Sequence, residues 1–211
     1  MTDPVAPART GASTSRPTSI SDRLPAPPVG GHRTRAQLEA ELDHLRAAPL
    51  DDGRLELVVA RPALLQRQVL DVGVLSTTDG LVGDTWSQRP STRTADGSPH
   101  PDMQLNIMGS RVARLVAVTD DRMPLAGDQL YVDLDLSEAA LPAGTRLAIG
   151  TAVVEITDQP HTGCAKFTER FGLDALRFVN SPIGRELRLR GANAKVVVDG
   201  EVRPGDRVRR V

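Results

Sequence analysis

The sequence predicts a mainly β fold: a β-barrel with a few short helices and an α-helical N-terminal appendage. Short apolar runs of strand length recur from residue 54 onward, most of them separated by Gly, Pro or Asp turns. Helix-period stretches in the same region are few and short, and no repeat of about 20–50 residues is present. At 211 residues the chain suits one domain with appendages and is long enough to bury a core.

The elements follow in order. Residues 1–31 are rich in Pro, Ser, Thr, Ala and Gly without apolar period, and are expected to form a disordered tail. Residues 32–53 are expected to form a short amphipathic helix and linker. Thr34-Arg35-Ala36-Gln37 is a capping box, and Leu38, Leu42 and Leu45 form a stripe that docks on the main domain until Pro49 stops the helix. The barrel is expected over 54–211. Leu55–Val59 and Val69–Val74 read as strands, and Gly83-Asp84 as a turn before Trp86. Ser87–Pro101 is polar and turn-rich, either a mobile loop or a functional one. Leu105–Met108 and Val112–Val118 read as strands, as does Gln129–Leu136, with Leu130, Val132, Leu134 and Leu136 on one face. Arg146–Ile149 and Ala152–Thr157 form a hairpin across Gly150-Thr151. Phe167, Phe171 and Gly172 mark a helical turn, and Ala175–Val179 a second one. Glu186–Arg190, Ala194–Val198 and Asp206–Val211 are read as the last strands, with Arg203-Pro204-Gly205-Asp206 as a turn.

The formal net charge of −1 gives no bulk basicity that points to nucleic acid. No stretch reaches the ~18 consecutive apolar residues of a membrane span, and Met1-Thr2-Asp3-Pro4 lacks the start of a secretory signal. A cytoplasmic location is therefore expected. Basic charge is almost all arginine, since Lys166 and Lys195 are the two lysines. Arg185, Arg188 and Arg190, with Arg146 at the start of the preceding hairpin, are candidates for binding a phosphorylated ligand, which arginine suits through bidentate hydrogen bonds. The alternation Glu186, Arg188, Arg190 equally describes a solvated strand face.

Cys164 is the single cysteine, in Gln159-Pro160-His161-Thr162-Gly163-Cys164-Ala165-Lys166-Phe167. An intramolecular disulfide is excluded. Gly163 allows a sharp turn before the thiol, and His161 and Lys166 are cations that would favour thiolate if close in space. A thiol of ordinary pKa is only about 3% ionised at neutral pH, so such neighbours separate a nucleophile or metal ligand from a small apolar filler. Both roles are open from spacing alone. Cys164 and the four histidines lack zinc-type spacing, and no dinucleotide fingerprint occurs.

The run Leu141-Pro-Ala-Gly-Thr-Arg-Leu-Ala-Ile-Gly150, then Ala152–Thr157, Gln159-Pro160, the cysteine, Phe171-Gly172 and Arg203–Val208 resembles the MOSC domain, found at the C-terminus of molybdenum cofactor sulfurases. Gly83-Asp84 and Ala126-Gly-Asp-Gln-Leu130 look like two further landmarks, so the resemblance covers roughly residues 55–211. It implies a barrel of the MOSC, pyruvate-kinase-like type and a molybdenum cofactor of the molybdopterin type. Cys164 would carry sulfur as a persulfide or ligate molybdenum, in a sulfurtransferase or a cofactor-dependent reductase of N-hydroxylated compounds; the alternative is a non-catalytic cofactor carrier. Two departures stand out: Gly163 precedes the cysteine where many members have proline, and His100-Pro101-Asp102 stands where a His-Gly-Gly signature is common. Pyridoxal phosphate, which family sulfurases use, needs a Schiff-base lysine in a large α/β domain. With two lysines and no such domain, this chain is expected to leave it to a separate partner. The partners that the resemblance implies are the pterin cofactor and either a cysteine desulfurase or a redox partner.

Overall fold

The computed structural model describes residues 27–211 and the backbone of Ser19–Ile20. Seven strands close into a mixed barrel. Around the ring they are β2 (Gly53–Ala60), β12 (Arg207–Arg210), β8 (Arg146–Ile149), β9 (Ala152–Ile156), β10 (Ala192–Val198), β6 (Leu105–Gly109) and β7 (Leu130–Asp133), which returns to β2. All neighbours are antiparallel except β6 and β7, which run parallel in the register Ile107↔Leu130. Closure pairs the backbone groups that an open sheet would leave at its edges. β1 (Ser19–Ile20) pairs with β3 (Arg67–Val69), which pairs with β2. A small sheet of β4 (Gly73–Ser76), β5 (Gly80–Leu81) and β11 (Gly200–Val202) stands beside the barrel.

Alternation along the strands divides the core into two clusters. Leu55, Ile107, Leu130, Val132, Leu147, Val154 and Val196 belong to the inner one, which the small sheet extends through Leu75, Leu81 and Val202. Tyr131, between two inward residues, belongs to the outer cluster with Met108, Phe167, Phe171 and Phe178. That cluster seats the helices α3 (Ser110–Ala117), α4 (Ala165–Phe171), α5 (Leu173–Val179) and α6 (Pro182–Glu186) on the barrel. Its polar end is satisfied: the Tyr131 hydroxyl donates to the Met123 carbonyl at 3.0 Å. No helix among the described residues is long and apolar enough to cross a membrane.

The N-terminal appendage has the expected capping box, with Thr34 accepting from Gln37 N. The helix divides into α1 (Arg35–Glu39) and α2 (Leu42–Arg46), and Leu38 and Leu45 are buried in the outer cluster. The backbone N–H of Arg35 donates to Asp174 of α5 at 3.0 Å, tying this segment to the barrel's helical layer.

Several expectations are corrected. Val112–Val118 forms α3 with Arg111 and Arg114 outward, because Val112, Ala113 and Val116 lie on one helical face, a spacing hidden by the β-branched composition. Glu186–Arg190 is no strand: Ser181 caps α6 by accepting from Gly184 N, and the chain then turns through Arg188 at φ +45. Val69–Val74 divides between β3 and β4, which lie in different sheets. Most of the 1–31 tail lies outside the described residues, but Ser19–Ile20 adds a strand to β3 where no structure was expected.

Candidate active site

The loop from β9 to α4 presents Cys164, and hydrogen bonds hold it at both ends. Thr157 donates through its hydroxyl to the Asp102 carbonyl at 2.7 Å, and Asn193 Nδ2 donates to the Gln159 carbonyl at 3.1 Å. Asn180, at the end of α5, grips Gly163 twice: it accepts from Gly163 N at 2.9 Å and donates from Nδ2 to the Gly163 carbonyl at 3.2 Å. A Cβ at position 163 would lie 2.7 Å from Leu176 Cδ1, so glycine here permits the close approach of the loop to α5. Cys164 follows as an exposed residue.

The thiol borders a cleft of about 500 Å³. Six cationic side chains line it: Arg61, Arg67, Arg89, Lys166, Arg170 and Arg190. Two are pinned by buried carboxylates. Arg61 donates to Asp84 through Nε at 2.7 Å and a terminal nitrogen at 2.9 Å, and Arg190 meets Asp128 at 2.8 Å. Arg190 also sits 5.1 Å from the Phe167 ring centroid. Arg67, Arg89, Lys166 and Arg170 make no salt bridge among the described residues. The Nε of Arg67 is buried without a hydrogen-bond partner among the described residues, and the Arg170 side chain donates to the Leu125 carbonyl at 2.6 Å.

This crowding has an electrostatic consequence. Burial, then the nearby Arg170 guanidinium, pulls the Arg67 pKa down to about 10. Arg89 is lowered by burial and then by Arg61, and Arg170 by burial, with Cys164 the largest opposing influence. Cations desolvated together in this way are stabilised by a bound anion. Gly127, at φ +87, completes the wall: a Cβ there would come within 3.0 Å of the Arg67 guanidinium.

The structure sorts the expected site residues. Cys164, Lys166 and Arg190 share the cleft. His161 is not the cation expected beside the thiol: burial, then Arg190 and Arg61, drives its pKa well below the usual imidazole value. Its Nδ1 lies 3.6 Å from Asp128, but Arg190 already holds that carboxylate at 2.8 Å, so His161 stays neutral. Arg185 and Arg188 line a neighbouring cavity of about 230 Å³ with His161, which meets the Cys164 cleft at Arg190, and Arg188 donates to the Leu141 carbonyl. Arg146 is outside on β8, paired with Glu155 at 3.0 Å. Arg61, Arg67, Arg89, Arg170 and Asn180 were missed. The signal lay in the two turns already noted: Gly83-Asp84 supplies the carboxylate that pins Arg61, and Ala126-Gly127-Asp128 supplies the Arg67 wall and the Arg190 partner.

The residues fit the cofactor that the resemblance implies. A cleft of partly unneutralised arginines suits a phosphate, and a soft thiol at its rim suits a thiophilic metal. No group of three or more His, Cys, Asp or Glu side chains could hold a metal among the described residues, so a metal at Cys164 would arrive with most of its own ligands.

A search of curated proteins gives no match. Among solved structures, the YuaD protein from Bacillus subtilis is 16% identical, with a TM-score of 0.55 over 74% of this chain and 93% of its own. YiiM from Escherichia coli is 21% identical over 75% and 69%, with a TM-score of 0.48. YiiM from Geobacillus stearothermophilus is 16% identical over 78% and 74%, with a TM-score of 0.47. The likeness to YuaD extends to the fold. The model of the MOSC domain family matches residues 110–209, a shorter span than the 55–211 resemblance, since β2 lies outside it. From α3 into β12, with Cys164 between them, residues 110–209 are a MOSC domain.

Proposed function

We propose that this MOSC-domain protein binds a molybdenum cofactor of the pterin type, with its phosphate on Arg67 and Arg170 and the Cys164 sulfur offered to the metal. The observation that carries this reading is the placement of an exposed thiol beside desolvated arginines that make no salt bridge among the described residues. Arg67 and Arg170 hold the anion. Arg61 and Arg190, fixed by Asp84 and Asp128, keep the cleft wall rigid. Asn180 fixes the loop that aims Cys164. When bound, the cofactor supplies two-electron redox chemistry, the kind a reductase of N-hydroxylated compounds requires.

The exposure of Cys164 favours a second reading, sulfur transfer. The Cys164 thiolate attacks the outer sulfur of a persulfide carried by a donor such as a cysteine desulfurase. The donor's S–S bond breaks, the donor leaves as a thiolate, and Cys164 keeps the persulfide. Pyridoxal phosphate then belongs to the donor. Lys195 is held by Asp102 at 3.0 Å and Glu155 at 3.4 Å, and its pKa is raised, chiefly by the hydrogen bond to Asp102; a Schiff-base lysine needs the opposite shift.

The test is to measure molybdenum and pterin in the purified protein and in Cys164→Ser and Arg67→Ala/Arg170→Ala variants. Metal should fall with either change, and pterin mainly with the arginine pair. Protein without either component after expression in a cofactor-producing host would overturn the cofactor reading. A persulfide on the wild type after incubation with a desulfurase and cysteine, absent from Cys164→Ser, would support the second.

A further inference from the structure

A chain of side-chain hydrogen bonds runs from the wall of the Cys164 cleft to the loop that presents the thiol. It begins at Arg61, just after β2, where a terminal nitrogen donates to Asn106 Oδ1 of β6 at 3.1 Å. Asn106 Nδ2 donates to Asn193 Oδ1 of β10 at 2.6 Å. Asn193 Nδ2 donates in turn to the Gln159 carbonyl at 3.1 Å, on the segment that leads to Cys164. We propose that Asn106 and Asn193 are positioning residues, which tie the thiol loop to the wall arginine so that the Cys164 sulfur faces the cationic cleft.

The two ends of the chain decide how both amides are turned. A guanidinium donates and cannot accept, and a peptide carbonyl accepts and cannot donate. Asn106 and Asn193 must therefore each accept on the Arg61 side and donate on the Gln159 side. All three bonds then run in one direction, an order in which neighbouring bonds polarise and strengthen one another. The head of the chain is fixed, since Arg61 also donates from Nε to Asp84 at 2.7 Å and from a terminal nitrogen to the Gly127 carbonyl at 3.1 Å. The middle is fixed by the barrel, because Asn106 and Asn193 are opposite residues of the antiparallel strands β6 and β10.

Arg61 and Asn193 are buried, and burying an amide costs desolvation that an apolar pair in the same place would avoid. What the polar chain supplies instead is a set geometry between segments far apart in sequence: the end of β2, the β6–β10 pair and the thiol loop. Asn180 holds that loop at Gly163 from the helical side, whereas the grip on Gln159 comes from the barrel and leads to the cleft wall. Asn106 itself lines the cleft beside Cys164. As a device that aims the sulfur at a bound cofactor, the chain rests on the proposed function. The coupling of wall to loop does not.

The test uses the full chain without added cofactor. Asn193→Asp keeps the size of the side chain and still accepts from Asn106, but its carboxylate has no proton for the Gln159 carbonyl. A packing role tolerates that change and a positioning role does not. Hydrogen exchange at the Gly163 amide, which Asn180 protects, should quicken about fivefold, the factor that one net hydrogen bond supplies, while amides of β8 keep their wild-type rates. Asn106→Asp separates stability from positioning. It turns the Arg61 contact into an ion pair, so the urea midpoint should hold or rise. Whichever way Asn193 then turns, one end of the chain sets oxygen against oxygen, and exchange at Gly163 should still rise several-fold. Asn193→Ser is neutral and too short to reach Gln159; it stands in for Asn193→Asp if circular dichroism shows that the buried charge prevents folding. It also gives a second readout, the rate of Cys164 alkylation by iodoacetate divided by that by iodoacetamide. The thiolate fraction cancels in this ratio, which reports the field of Lys166 and Arg170 at the sulfur and should drop several-fold in Asn193→Ser. Wild-type exchange at Gly163 in Asn106→Asp and Asn193→Ser, or an unchanged ratio in Asn193→Ser, would overturn the assignment. Molybdenum content plays no part in these readings, so they stand or fall separately from the cofactor proposal.

Discussion

Asn180 offers a way to loosen Cys164 without touching the thiol or the arginines. Asn180→Ala removes two partly buried hydrogen bonds to Gly163, one in each direction. At about 0.5–1.5 kcal/mol net for each bond, the expected loss is roughly 1–3 kcal/mol, and the upper end applies if the Gly163 groups stay dry. Gly163→Ala perturbs the same contact from the other side. The new methyl meets Leu176 Cδ1 at 2.7 Å and Val179 Cγ2 at 3.2 Å, an overpacking that costs about 1–3 kcal/mol. The two residues touch, so the double variant should cost less than the sum of the single ones. Urea denaturation gives the stabilities, and molybdenum retention on dialysis gives the functional effect. Asn180→Ala should retain less metal than wild type even at temperatures where both are fully folded, while inorganic phosphate binding at Arg67 and Arg170 stays the same. A stability loss under about 0.5 kcal/mol with unchanged retention would refute the positioning role.

What was legible in the sequence followed from local rules. The capping box at Thr34, the hairpin across Gly150-Thr151 and the glycine after Phe171 are signals read within a few residues, and the structure contains each. The strands read from alternation survive where both faces are served by different clusters, as at Leu130 and Tyr131. The failures at Val112–Val118 and Glu186–Arg190 arose where tertiary packing and a cap outweighed composition. The site was legible only in part for a related reason. Cys164 advertises itself as the single cysteine, but the arginines around it come from just after β2, from β3, from the turn after Asp84, from α4 and from the segment between α6 and β10. Their convergence is set by barrel closure, which no local pattern encodes. Sequence proximity also misled at His161: three residues from the thiol, it lines the neighbouring cavity beyond Arg190, where burial pushes its pKa well down.

Leu38→Ala tests whether the N-terminal helices are part of the domain's stability. Leu38 is fully buried in the outer cluster, so the change should cost about 2–5 kcal/mol in urea denaturation, and a cost under 1 kcal/mol would show that α1 is not coupled to the barrel. His161 makes stability depend on pH. Its folded pKa lies well below 6.5, so between that value and 6.5 the unfolded chain binds a proton that the folded one does not. Stability therefore rises with pH across this window: the contribution is fully present above about 6.5 and is lost on acidification, at up to about 1.4 kcal/mol per pH unit. The carboxylates with lowered pKa, Glu155 and Asp96, titrate below their ordinary values of 4.5 and 3.8 and leave the window clear. Urea midpoints measured from pH 8 to pH 5 should fall for the wild type and flatten for His161→Gln. Parallel curves would mean that Asp128 accepts the imidazolium after all, despite its grip on Arg190, and that His161 is charged beside the cleft wall.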